Sequence, residues 1–105
     1  MIERVPPQNI EAEQAVLGAM LIKKEAIAEV SQLLKPSDFY REAHRIVYET
    51  MLELFNRNEA VDLITVTEQL RKNDSLEKAG GIAFVTSLAN AVPTAANVEY
   101  HARIV

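Results

Sequence analysis

An all-α fold is what this sequence predicts, as a small orthogonal bundle of about five to six helices around a central helix, and three observations predict it. Apolar residues recur at spacings of three and four along every long segment. No alternating strand pattern, hairpin signal, repeat or low-complexity tract competes with that period. The third observation is the stretch over 39–56, FYREAHRIVYETMLELFN. At about 100° per residue its polar side chains Arg41, Glu42, Arg45, Glu49, Glu53 and Asn56 share one narrow sector. Ala43, Ile46, Val47, Met51, Leu54 and Phe55 centre the apolar arc, with Tyr40, His44 and Tyr48 on its flank, so roughly two thirds of the circumference asks for burial. Such a helix belongs in the middle of the bundle.

The remaining elements follow in chain order. Residues 1–9 read as an extended arm, because Pro6-Pro7 fixes the backbone and removes amide donors. Asn9 is the expected N-cap of a helix over 10–22, with Glu11 and Glu13 favourably placed in its first turn. Val16, Leu17, Met20 and Leu21 form its buried face. Glu13 lies on that face too, and is satisfied either by free backbone amides or by a partner such as His44. Gly18 lowers helix propensity by about 1 kcal/mol, and close approach of a neighbouring helix accounts for it. A second helix over 24–34 buries Ala26, Ile27, Val30, Leu33 and Leu34 and stops before Pro36. Ser37 or Asp38 then caps the central helix. For the next helix Asp62 and Thr65 both offer a start, and Thr65 is preferred because Thr65-Val66-Thr67-Glu68 matches a capping box. Val66 and Leu70 point inward, the helix ends near Asn73, and 75–79 is at most one turn. After Gly80-Gly81 a helix over 82–91 places Ile82, Val85, Leu88, Ala89 and Val92 on its inner line, with Phe84 off it. Pro93 stops that helix, and 95–105 is again helical in pattern.

Composition narrows the function. The chain has 105 residues, 49% of them apolar, which suits one domain with its own core. It contains no cysteine, in keeping with a reducing cytoplasm, and no signal peptide or membrane-spanning run is evident. The formal charge is −4, with Lys and Arg scattered singly or as the pairs Lys23-Lys24 and Arg71-Lys72. Phosphate neutralisation supplies most nucleic-acid affinity, so weak or no DNA binding is expected of this chain alone, and proteins are the expected partners.

Motifs for catalysis are not found. Gly80-Gly81 lacks the G-x-x-x-x-G-K-[ST] pattern of a phosphate loop, and no G-x-G-x-x-G occurs. Neither histidine completes E-x-x-H, since Arg41 precedes His44 by three and Val98 precedes His101 by three, so no bundle metal site is expected. His44 reads as a hydrogen-bonded histidine beside the core. Phe39, Tyr40, Tyr48 and Phe55 read as core residues by spacing.

Four blocks in order, VPPQNIEAEQAVLGAML, DFYREAHRIVYE, VDLITVTEQL and GGIAFVTSLANAVPTAANVEYHARIV, resemble the N-terminal domain of the bacterial replicative DNA helicase, the DnaB family. The resemblance covers essentially the whole chain. It implies a non-catalytic domain that forms the collar of a hexameric ring, with protomers paired into a trimer of dimers through a helical hairpin. It also implies that a primase docks its C-terminal domain on the collar, and leaves open whether a helicase loader binds there. On this likeness 10–92 is the globular bundle and 93–105 the first part of the hairpin. The linker and RecA-like ATPase domain, with ATP and Mg, belong to the parent helicase outside this chain, so no cofactor is expected here. Candidate partner contacts are Phe84, beside the glycine pair, and Tyr100 and Ile104, a second apolar line on the last helix. For Phe84 the alternative is a residue wedged between helices.

A helical piece of about 16 Å is too short to bury the ~1,200 Å² of a stable interface. Sedimentation equilibrium should find the 105-residue chain mainly monomeric at micromolar concentration, and dimers once the hairpin is completed. A tight dimer of the 105-residue form would place the pairing on the globular surface instead.

Overall fold

The computed structural model describes residues 10–90 and 102–105. The described residues form α1 (Ile10–Ile22), α2 (Lys24–Leu33), the 3₁₀ turn Pro36–Asp38, α3 (Glu42–Asn56), α4 (Leu63–Lys72) and α5 (Gly81–Asn90), and residues 102–104 are again helical. The expected arm over 1–9 with its Asn9 cap, the inner-line Val92, the Pro93 stop, Val98 and Tyr100 lie outside the described residues.

The centre of the bundle is shared. Helix α3 packs on α1, α2 and α4, with Val47, Tyr48, Met51 and Leu54 buried. Helix α1 is enclosed by α2, α3 and α5, and buries Ala12, Glu13, Val16, Leu17, Gly18, Ala19, Met20 and Leu21. Its apolar residues run round the whole circumference, which is the pattern of a helix with neighbours on several sides. The α1–α5 contact, between the first and last of these helices, is the most extensive among these elements. One side of α2 joins the core through Ala26, Ile27 and Val30, with Leu34 at its end. Leu33, expected inside, is 39% exposed because it lies off that line.

The approach to α3 departs from expectation. Asp38 accepts a hydrogen bond from the Lys35 amide at 2.8 Å and so closes the 3₁₀ turn rather than capping α3. Residues Phe39 and Arg41 have extended backbones, and α3 begins only at Glu42 with Arg41 as an N-cap that makes no side-chain cap. Burial explains the delay. Phe39 turns into the core against Tyr48, ring centroids 4.8 Å apart, and the chain stays extended to place it there. Tyr40, expected on the buried flank, is thereby thrown outward and is 58% exposed. Arg45 steadies the segment by donating to the carbonyls of Phe39 and Tyr40. Tyr48 donates its hydroxyl to the Leu34 carbonyl at 2.7 Å, and burial first, then the charge of Asp38, pushes the phenol up to about 12.

Helix α4 starts at the other of its two candidate caps. Asp62 accepts from the Thr65 amide while the Thr65 hydroxyl accepts from the Asp62 amide, both at 2.9 Å, a reciprocal box set three residues earlier than Thr65-to-Glu68. Val66 and Leu70 are fully buried as expected. A polar relay of Arg57, Gln69, Asn73 and Glu53 ties the end of α3 to α4. Asn58 (φ 59°) and Asp74 (φ 57°) turn the chain in the left-handed region just beyond α3 and α4, where Asn and Asp are tolerated. On α5, Val85 and Leu88 face inward as expected, yet Ile82 is 53% exposed. The packed face passes through Phe84, Val85, Leu88 and Ala89, so the helix is rotated toward Phe84, whose ring lies on His44. At the end of the described chain Ala102 is buried, Val105 packs on the core and Ile104 is 42% exposed.

The two capping schemes for α4 can be separated by denaturation. Asp62→Ala should lower stability by about 1 kcal/mol. Glu68→Ala, which removes only the exposed 3.2 Å pair with Arg71, should cost less than about 0.5 kcal/mol. Equal losses in urea melts would contradict the Asp62 box.

Candidate partner-binding face

Side chains from α1, α3 and α5 meet where the extended segment 39–41 enters α3. Glu13 and His44 are both fully buried there. The His44 Nδ1 stands 2.6 Å from Glu13 Oε1, and the Tyr40 amide donates to Glu13 Oε2 at 2.8 Å. A buried carboxylate needs such donors. Of the two partners that the sequence allowed Glu13, the histidine is therefore the one realised, together with one amide from a different element rather than its own helix start. His44 Nε2 is buried with no hydrogen-bond partner among the described residues.

Burial lowers the His44 pKa from the ordinary 6.5; hydrogen bonding and charge from Glu13 oppose this, and Arg41 adds to it. The balance is physically sensible, since neutral imidazole already donates Nδ1–H to Glu13 while a second proton on Nε2 would find no acceptor among the described residues.

Phe84 lies over this pair. Its ring stacks on His44 with centroids 5.6 Å apart and planes 16° from parallel. The Arg41 guanidinium carbon is 5.9 Å from the same centroid. Gly80 (φ +98°) closes in from behind, and a Cβ there would fall 2.6 Å from Phe84 Cδ2. Phe84 thus packs against the core and is only partly buried. Exposed Arg41 borders it, and exposed Tyr40 is the preceding residue in the chain; both are residue types enriched in interface hot spots.

A second exposed apolar feature is the groove between α4 and α5, lined by Leu63, Ile64, Thr67, Ile82 and Thr86 with Glu68 and Arg71 at its edge. Ile64 is 79% exposed. The preference for Thr65 as cap hid this, because Ile64 would then precede the helix as a staple instead of standing on its outer side. Of the three residues singled out as contacts, Phe84 sits on the first face, Ile104 is exposed near the end of the described chain, and Tyr100 lies outside the described residues. No three histidine or acidic side chains come together as a metal-holding cluster among the described residues, and no helix there is long and apolar enough to cross a membrane.

The titration of His44 has a sign that can be worked out. Its folded pKa lies below the unfolded 6.5, so the unfolded chain takes up a proton that the native state refuses. The contribution is fully present above pH 6.5 and is lost as pH falls below it, at up to about 1.4 kcal/mol per pH unit. Urea melts at pH 7.5 and 5.5 should show a smaller pH-dependent loss for His44→Asn than for the parent chain; equal losses would mean that His44 titrates normally.

Comparison with known proteins agrees with this architecture. The family model described as DnaB-like helicase N terminal domain matches residues 5–105. The chain is 55% identical over 103 residues to the replicative DNA helicase DnaC of Bacillus subtilis (strain 168), and 54% identical over 103 residues to the replicative DNA helicase DnaB of Geobacillus stearothermophilus. Each alignment covers 98% of this chain and 23% of the relative, so the chain spans about a quarter of the length of the curated relatives it matches. The crystal structure of the N-terminal domain of DnaB helicase from Mycobacterium tuberculosis superposes with a TM-score of 0.91 at 47% identity, covering 95% of this chain and 69% of that one. A helical bundle of this shape, matched by the family model over nearly its full length, places the chain in the DnaB-like helicase N-terminal domain family.

Proposed function

We propose that this domain is a non-catalytic assembly and docking module of a hexameric replicative DNA helicase, forming part of the ring collar and receiving the C-terminal domain of a primase during DNA replication. The observation that carries the reading is the likeness, over nearly the whole chain, to N-terminal domains of replicative helicases. Unwinding driven by ATP and Mg is assigned to a RecA-like domain outside these residues. Protomer pairing is assigned to the last helix, where Ile104 is exposed on the side away from Ala102, with Tyr100 as its proposed companion. A helicase loader is a further candidate partner of the assembled ring, located in the replisome of the cytoplasm.

Primase docking is assigned to the face around Phe84. A partly buried aromatic ring with an exposed arginine over it, itself preceded in the chain by an exposed tyrosine, supports this choice, because such groups bury much area for little lost side-chain entropy. The scattered basic residues and net charge of −4 favour a protein over DNA as the occupant.

Titration calorimetry with a primase C-terminal domain tests the assignment. Phe84→Ala should weaken binding by about 1 to 3 kcal/mol while the variant still melts cooperatively. Affinity unchanged within error in a folded Phe84→Ala variant would remove Phe84 from the interface.

A further inference from the structure

The choice of histidine at position 44 is not explained by hydrogen bonding. Only Nδ1 is used, toward Glu13, and Nε2 is left buried without a partner among the described residues, a group that carries the desolvation penalty of an unmade bond. An asparagine amide could donate to Glu13 as well. What the imidazole adds is a flat face, and Phe84 lies on it at 16° from parallel. That face cannot drift, because Glu13 is itself held by the Tyr40 amide. Gly80 and Arg41 bound the Phe84 ring further.

We propose that His44 is a positioning residue for Phe84: pinned by Glu13, it is the platform that fixes the orientation in which Phe84 is presented, so that docking at Phe84 depends on the Glu13–His44 pair. This rests on the reading of Phe84 as a partner contact. The physical advantage is preorganisation, since an anchor already held in its bound rotamer loses less freedom on binding.

The same arrangement makes the platform sensitive to protonation. Among the described residues the charged groups acting on His44 are Glu13 from α1 and Arg41 from the start of α3, while α5 brings only the uncharged Phe84. A proton on Nε2 creates a donor with no acceptor among the described residues, which disfavours the ring position on which Phe84 rests.

The test uses the 105-residue chain carrying para-fluorophenylalanine, with the Phe84 signal identified by Phe84→Leu. In the parent chain the Phe84 fluorine should give one narrow line with a small H2O/D2O shift. In His44→Asn, which keeps a donor for Glu13 and removes the face, the line should broaden or split and its solvent shift increase. A primase C-terminal domain should bind His44→Asn roughly 2- to 10-fold more weakly, and this loss should disappear in the Phe84→Ala background. An unchanged fluorine line in folded His44→Asn, or the same loss of affinity in both backgrounds, overturns the proposal. A changed line with normal binding by Phe84→Ala upholds the platform, and overturns both the contact role of Phe84 and the dependence of docking on His44. Should His44→Asn fail to fold, the parent chain decides alone: the Phe84 line should change with the midpoint of the His44 imidazole carbon titration, and constancy across that midpoint overturns the proposal.

Discussion

A carboxylate removed from water must find hydrogen-bond donors, and Glu13 finds both of its donors in a single short stretch at the start of α3. Helix α1 is locked to that stretch in both rotation and height by this requirement, because the Tyr40 amide and the His44 ring approach different oxygens of one group. Apolar packing alone would be more permissive. The buried face of α1 is made of Ala, Val, Leu and Met side chains that could slide by a turn with modest change in contact area. The polar pair selects one register among several apolar ones, in the way that buried polar groups specify pairing in coiled coils.

Most consequences for the surface descend from that lock. The Tyr40 amide must face inward, so its side chain faces outward. Phe39 takes the core position that Tyr40 would have filled, and α3 starts three residues later than its sequence pattern suggests. Arg41 is carried to the domain surface next to Phe84, and His44 presents its ring to α5. One buried hydrogen-bonded pair thus determines which aromatic residues solvent or a partner can reach.

Legibility in the sequence followed the range of the forces. Helix α1 was readable to its ends, and the inward residues Val66, Leu70, Val85 and Leu88 were readable from period alone, since burial on one stripe leaves a local trace. The start of α3 was not, because tertiary burial of Phe39 overrode the capping potential of Asp38. At α4 two chemically sound caps lay three residues apart, and the local code alone did not decide between them. The candidate face was legible only in parts. Glu13 with His44 was one of two options, whereas the stacking of Phe84 on His44 joins residues 40 positions apart in the chain and leaves no periodic signal. Ile82 was hidden for the related reason that a small error of register turns an outward residue inward on paper, and Ile64 because the later cap at Thr65 left it outside the helix.

The extensive contact between α1 and α5 also bears on how the domain forms in time. Apart from the α1–α3 contact, the other helix contacts among the described residues join neighbours in sequence, α1 with α2, α2 with α3, α3 with α4 and α4 with α5, and left-handed Asn58 and Asp74 end α3 and α4 by local means. Such pieces can assemble quickly, since each closes only a short loop. The α1–α5 contact instead closes the whole intervening chain and carries the largest loop-closure entropy. Until that closure is made, α1 shows an apolar side to solvent with nothing to cover it. On loop-closure entropy alone the arrival of α5 is the costliest of these contacts to make, and a ribosome that has released only the first four helices holds a domain still waiting for its lid.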